Sequence, residues 1–288
     1  MNRRDFIRIS GYGSIAGFGV LSKPSRCEMA LRYGDDRRVL TQPVSEIHQI
    51  LLLDGMALPE KISPVLAERT AVLQRMYPGA KYNLWSGEAL RSFIAEHFGA
   101  ETLHAFDSLK PYSYKSDLGR YCLLYQLGGL YSDMSLLHER SWIIPQGCGY
   151  AAFIDRYRKK SLFEHSMGNS LLWAKPKRRE FLLAIERIIK NCKEKFYGAS
   201  WLEPTGPWLL GHAYACVASD NWRAGITPDQ WFGAILGDDA SGAKFTSFLE
   251  EEPTMVANRG NRLGGDWTGF GHAGVNNYRD MWFAREVY

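Results

Sequence analysis

The apolar positions of this chain change their period several times, and each change marks an element. "SEIHQILLL" (45–53) is a near-continuous apolar run between Pro43 and the turn pair Asp54-Gly55, the pattern of a short buried strand. "SPVLAERTAVLQRMYP" (63–78) shifts to helical spacing, with Ser63 at the cap, Pro64 at the first helical position and Pro78 beyond the end. "AKYNLWS" (80–86) predicts a second strand, and "SGEALRSFIAEHF" (86–98) a second helix with Glu88 and Glu96 outward. Strand, helix, strand, helix in this order predicts an α/β sheet with parallel strands.

The densest pattern follows in "KSDLGRYCLLYQLGGLYSDMS" (115–135). Ser116 suits a helix N-cap, and Leu118, Tyr121, Cys122 and Tyr125 recur at i, i+3, i+4 and i+7, one apolar helical face. Asp117 and Arg120, three apart, share a different face near the helix start. Gly128-Gly129 ends the helix. "LYSDMSLL" (130–137) reads as a short strand, in which Asp133 and Ser135 point the same way. That is the geometry of a paired-carboxylate site with a hydroxyl in place of one carboxylate. Downstream, 178–196 is a strongly amphipathic helix and 204–218 a turn leading into another. The last forty residues read as loop-rich, with "RGNRLGGDWTGFGHAGVNNY" the most glycine-dense segment.

Composition adds little to this and excludes some classes. At 45% hydrophobic and 23% charged, with no repeat and no low-complexity tract, the chain is an ordinary globular one. Its net charge of +4 is too mild to argue for a nucleic-acid partner. Basic clusters at 156–160 and 175–180 read as solvated helix ends and loops, or more sharply as peripheral contact with phosphates or an anionic membrane. The five cysteines have neither zinc-site nor disulfide-framework spacing.

The N-terminus changes the picture more. "NRRDFIRISGYGSIAGFGVLS" resembles a bacterial twin-arginine export signal, with Arg3-Arg4, Phe6 and Arg8 ahead of a glycine-rich apolar run too short to span a bilayer. Residues 1–27 are thus expected to be an export leader, and 28–288 a single domain with a helical accessory region; without a working leader the protein is expected in the cytoplasm. A competing reading is a dinucleotide fingerprint in Gly11, Gly13 and Ala16 with Asp35 and Asp36 further on, against which Pro24 interrupts the required helix.

The residues of 116–133 carry a resemblance. Ser116, Asp117, Arg120, Tyr121, Leu124, Tyr125, Gly128, Gly129, Tyr131 and Asp133 stand at the spacings of a glycosyltransferase family. It includes yeast initiating mannosyltransferases, capsular-sugar transferases and the catalytic domains of clostridial glucosylating toxins. "IHQI" (47–50), "YPGAKYNLWS" (77–86) and "TGP" (205–207) are similar to further family segments. The resemblance implies a GT-A fold, a Rossmann-like nucleotide-sugar-binding sheet, and a retaining transfer of a hexose from a nucleotide-sugar donor to a glycan, lipid-linked or protein acceptor.

It also implies roles for residues. Asp117, Arg120 and Asp133 would be catalytic, meeting the donor, with Tyr131 supporting them. His48 and Gln49 on the first strand and Asn277 in the late loop, beside Asn276 and His272, would also bind the donor. Mn2+ or Mg2+ would sit at Asp133 and Ser135. Two departures stand against the pattern: Ser135 replaces the second aspartate of Asp-x-Asp, a poor substitute for a hard cation. Leu51 stands where a tryptophan commonly stacks on the base. Two rival readings follow, a sugar-nucleotide- or glycan-binding protein that has lost catalysis, and an exported nicotinamide-dependent oxidoreductase resting on the N-terminal glycines.

Overall fold

The computed structural model describes residues 40–155, 166–237, 245–251, 254–260, 270–271 and 276–288, all within one unit, Leu40–Tyr288. Its first half follows the strand–helix alternation. Strand β1 (Glu46–Ile50) lies between β2 (Lys81–Trp85) and β3 (Gly129–Ser132) and is parallel to both. A strand flanked on both edges, with helices packed near it, reads as a continuous apolar run. The run extends past the strand: pairing stops at Ile50, and Leu51, Leu52 and Leu53 continue as buried loop.

Helix α1 (Pro64–Met76) buries Leu66, Thr70 and Leu73, one face at helical spacing. Its Ser63 occupies the N-cap position without a side-chain capping bond, whereas Ser86 caps α2 (Gly87–His97) by accepting from the Ala89 N–H. Helix α3 (Ala100–Ser108) leads to α4 (Tyr112–Gln126). Helix α4 starts four residues before the expected cap, directly after Pro111, so Ser116 lies inside it. Nor is α4 amphipathic: Tyr114, Asp117 and every residue from Leu118 to Leu124 are buried. A helix buried on all sides does not show a single apolar stripe.

Among the described residues the sheet has nine strands, in the order β2, β1, β3, β6 (Met167–Ala174), β5 (Tyr150–Asp155), β7 (Gln230–Gly237), β8 (Phe245–Glu251), β9 (Thr254–Gly260) and β4 (Leu137–His138). Beyond β3 its character changes. Strand β6 (Met167–Ala174) is antiparallel to both β3 and β5 (Tyr150–Asp155), β5 is parallel to β7 (Gln230–Gly237), and β8 (Phe245–Glu251) and β9 (Thr254–Gly260) form an antiparallel hairpin. The two-residue β4 (Leu137–His138) closes the far edge on β9. The fold is mixed α/β, with α5 (Arg179–Glu194) and α6 (Pro207–Arg223) as helical accessory segments near their expected positions. The expectation of a loop-rich end is corrected by β9 and by a last helix, α7 (Tyr278–Phe283).

Two glycines join α4 to β3 where no other residue fits. Gly128 and Gly129 have φ of +71° and +89°, and a Cβ on either would lie 2.8 Å from a backbone oxygen, of Ala174 and Glu46 respectively. The tight turn delivers β3 beside β1, running the same way. The segments after β1 and β3 therefore emerge at one edge of the sheet, the carboxyl edge where open α/β sheets bind ligands.

Candidate functional site

At that edge three charged side chains meet. Asp117 and Arg120 come from α4, and Asp133 stands one residue beyond β3. The Arg120 guanidinium lies between the two carboxylates, 3.3 Å from Asp117 Oδ1 and 3.2 Å from Asp133 Oδ1. It also donates to the Ser116 carbonyl at 3.1 Å and to the Asn169 carbonyl at 2.7 Å, and it stacks 4.6 Å from the centroid of the Tyr131 ring. Burial works against its charge, but Tyr131, Asp133 and Asp117 outweigh burial, so its pKa is raised and it stays cationic. The i, i+3 pair of Asp117 and Arg120 is thus interior, with side chains 10% and 5% exposed, and not a surface ion pair.

Asp117 is held on both oxygens. Oδ1 accepts from Asn169 Nδ2 and Oδ2 from the Thr205 hydroxyl, each at 2.7 Å. Burial pushes its pKa up to about 6, against the opposing pull of Arg120 and of these hydrogen bonds. The Tyr121 hydroxyl accepts from Asn169 Nδ2 at 3.0 Å and donates to the Thr205 carbonyl at 3.1 Å, which locks Asn169 and Thr205 to the helix.

Asp133 is the most open of the three, its side chain 23% exposed. Its backbone N–H donates to the Ser170 carbonyl at 2.8 Å, and its Oδ1 accepts from the Tyr131 hydroxyl at 2.7 Å. Its Oδ2 lies 3.7 Å from Arg259 Nη1. The backbone then turns, with the Leu136 N–H bonded to the Asp133 carbonyl at 3.1 Å. Asp133 and Ser135 therefore belong to a turn between β3 and β4, and not to one strand face as expected. The Ser135 carbonyl accepts from Arg69, whose guanidinium lies 5.1 Å from the centroid of the Phe270 ring.

The other expected donor residues are placed differently. His48 is fully buried, its Nε2 3.1 Å from the Gly128 carbonyl and its Nδ1 3.3 Å from Trp85 Nε1. Those contacts set the neutral tautomer with Nε2 donating, and burial lowers its pKa to about 4. Gln49, on the opposite side of β1, is buried and accepts at Oε1 from Thr70 and Tyr82. Both side chains are engaged inside the protein. Asn277 caps α7 by accepting from the N–H groups of Arg279 and Asp280. Asn276 accepts from the Tyr112 N–H at 2.6 Å, tying the C-terminal segment to the start of α4. Leu51, expected to cover a base, is fully buried with Leu53, Leu66, Met134 and Phe270. The leader, the N-terminal glycines, the basic cluster at 156–160 and His272 lie outside the described residues. In the second basic cluster, Arg178 pairs with Glu180 and Asp229, and Arg179 with Asp220.

Three site residues escaped sequence reasoning. Asn169 arrives because β6 runs antiparallel to β3, which sets the start of β6 beside the end of β3. Thr205 was visible only as part of the Thr-Gly-Pro turn. Arg259 arrives because β4 pairs with β9 in the register Leu137↔Asn258, so the next residue of β9 faces the Asp133 turn. The four described cysteines are free thiols, and no described helix is long and apolar enough to cross a membrane.

Part of the chain is similar to known proteins. Residues 66–148 match the family described as "Glycosyltransferase sugar-binding region containing DXD motif", a span that contains the whole 116–133 pattern. An inositol phosphoceramide mannosyltransferase of Schizosaccharomyces pombe is 35% identical over 157 residues, 54% of this chain and 40% of that protein. An uncharacterized glycosyltransferase of Acanthamoeba polyphaga mimivirus is 29% identical over 113 residues, 39% of this chain and 42% of its own length. The chain thus spans about two fifths of the length of these relatives. The solved PaToxG glycosyltransferase aligns over 64% of this chain and 75% of its own, at 15% identity and a TM-score of 0.45.

Proposed function

From a chain whose residues 66–148 carry the sugar-binding region of the DXD glycosyltransferases, we propose that the protein transfers a hexose from a nucleotide-sugar donor to a glycan, lipid-linked or protein hydroxyl. The observation that carries this reading is the buried chain Asp117–Arg120–Asp133, opening to solvent at Asp133 on the carboxyl edge of β1 and β3. A buried, multiply hydrogen-bonded arginine between two carboxylates is a costly arrangement, and removing one partner of such a group typically costs 3–5 kcal/mol. A surface used only for packing would fill more simply with apolar side chains.

The chemistry asks for what these residues offer. As the bond from the anomeric carbon to the diphosphate oxygen breaks, that oxygen leaves with the electron pair and negative charge gathers on the nucleoside diphosphate. The acceptor hydroxyl oxygen forms the new bond to carbon, and its proton passes to the departing phosphate. Fixed cationic donors aimed at the leaving group stabilise that charge without reorganising during the reaction. Asp117 and Asp133 orient Arg120, and the partly open Asp133 carboxylate accepts hydrogen bonds from sugar or ribose hydroxyls. The resemblance brings retention of configuration with it, which the anomer of the product reads out.

The resemblance also brings Mn2+ or Mg2+, and the described groups around Asp133 do not suit either ion. A hard dication takes about six or more oxygens, with anionic carboxylates prominent among them. Among the described residues, the turn after β3 offers one open carboxylate, that of Asp133, already facing two guanidiniums. Among the described residues no group of three or more His, Cys, Asp or Glu side chains is placed to hold a metal.

The reading is tested by incubating the protein with UDP- and GDP-hexoses and following free hexose, since water serves as a minimal acceptor. Release should occur with one donor and disappear in Asp133→Ala while the circular dichroism spectrum is retained. Unchanged release by that variant would sink the assignment.

A further inference from the structure

The donor-set mismatch has a counterpart in Arg259. This residue lies on β9, far along the chain from the helix that supplies Asp117 and Arg120, and the β4–β9 pairing brings it to the Asp133 turn. Both oxygens of Asp133 consequently face guanidiniums, Oδ1 that of Arg120 at 3.2 Å and Oδ2 that of Arg259 at 3.7 Å. The two arginines differ in access. The Arg120 side chain is 5% exposed, and its Nε and Nη1 are bound to carbonyls. The Arg259 side chain is 35% exposed, and its separation from Asp133 is that of an ion pair and not of a close fork. A guanidinium has five N–H donors in one plane, so Arg259 has donors left for a second anion while Asp133 steadies it.

Charge counting points the same way. A second aspartate at position 135 together with a bound dication would add one negative and two positive charges, a net of one positive. With Ser135, one further guanidinium supplies that net charge with no ion. Arginine matches phosphate oxygens in pairs and is always charged, which makes it suited to a diphosphate. It is also a poor neighbour for a dication, because a fixed positive charge a few ångströms away repels one.

We propose that Arg259 contacts the donor diphosphate and, with Arg120 behind Asp133, replaces the divalent cation, so that nucleoside diphosphates bind this site without metal. The inference rests on the reading of the site as a nucleotide-sugar site.

Calorimetric titration of the full chain with UDP, GDP and CMP, in EDTA and again in manganese, tests it, alongside Arg259→Met and Arg259→Lys. A nucleoside diphosphate should bind in EDTA with a dissociation constant within about twofold of that in manganese. Arg259→Met should weaken that binding by about tenfold or more, the loss of one hydrogen-bonded ionic contact, and Arg259→Lys by less. The thermal midpoints of the free variants, measured alongside, separate lost contact from lost fold. Binding that requires manganese, or binding by a folded Arg259→Met equal to that of the unaltered protein, overturns the proposal and leaves the donor reading standing. Absence of binding by any nucleotide under both conditions overturns the donor reading and the proposal together.

Discussion

Thr205→Val isolates the electrostatics of the site with almost no change of shape. Thr205 is fully buried, and its hydroxyl donates to Asp117 Oδ2 at 2.7 Å. Valine keeps the side-chain volume and removes only that donor. A hydrogen bond to a charged group is worth about 1.5–3 kcal/mol and one to a neutral group about 1 kcal/mol, so the difference corresponds to roughly 0.4–1.5 pK units. Asp117 already has its pKa raised to about 6 by burial, and loss of the hydroxyl raises it further. The sign follows from linkage. A carboxyl whose folded-state pKa lies above its unfolded value contributes most to stability below the unfolded pKa, and loses that contribution as pH rises through the folded pKa. The variant should therefore be about 1.5–3 kcal/mol less stable than the unaltered protein at pH 8, where Asp117 is ionised. At pH 5, where it is protonated in both, only a neutral hydrogen bond is lost, about 1 kcal/mol. Urea denaturation at the two pH values measures both differences. The acid limb of hexose release should move up by the difference between the two losses, about 0.4–1.5 pH units. A stability loss that is equal at pH 8 and pH 5 would refute the reasoning, because Asp117 would then not be the charged partner of Thr205.

Other expectations follow from the same structure. Gly129→Ala, forced into positive φ with its Cβ 2.8 Å from the Glu46 carbonyl oxygen, should cost at least about 2 kcal/mol, read from urea midpoints. Arg120→Met leaves two carboxylates at the site without their shared cation. It should cost about 3–5 kcal/mol at pH 8, less at pH 5, and abolish hexose release. Burial lowers the pKa of both His48 and His138 to about 4, so each contributes stability that is present above about pH 6.5 and is lost as pH falls toward 4. Between pH 7 and pH 5 each should cost about 2 kcal/mol, partly offset by about 1 kcal/mol from Asp117. His138→Asn should flatten the denaturation midpoint against pH over that window.

How much of this was legible depended on how local each contact is. The strands and helices of residues 45–98 are readable because their apolar periods and caps are local signals, whereas α3 (Ala100–Ser108) is not among the expected elements. Asp117, Arg120 and Asp133 were readable because one helix, one Gly-Gly turn and one strand fix their relation within eighteen residues. The start and burial of α4 are not: Ser116 reads as a cap, while Pro111 begins the helix and Tyr114, Asp117 and Leu118 to Leu124 are all buried. Alternation extended past the end of pairing with β1 places Asp133 and Ser135 on one strand face, whereas the chain turns there instead. Asn169, Thr205 and Arg259 are set by strand register and by a distant loop, and no window of sequence contains them together with Asp133. Arg259 in particular lay in a segment whose glycines and asparagines read as loop, yet β9 pairs on both its edges.

The central claim is that the Asp133 edge of the sheet holds a nucleotide sugar, and thermal stability against a panel of UDP-, GDP- and CMP-sugars tests it most directly. A ligand at 100 times its dissociation constant adds about 2.7 kcal/mol, which for a chain of this size raises the midpoint by about 5 °C or more. The account predicts such a rise with one donor, in EDTA as well as in manganese, and its loss in Asp133→Ala relative to that variant's own midpoint. No rise with any donor, or a rise that survives Asp133→Ala undiminished, would contradict it.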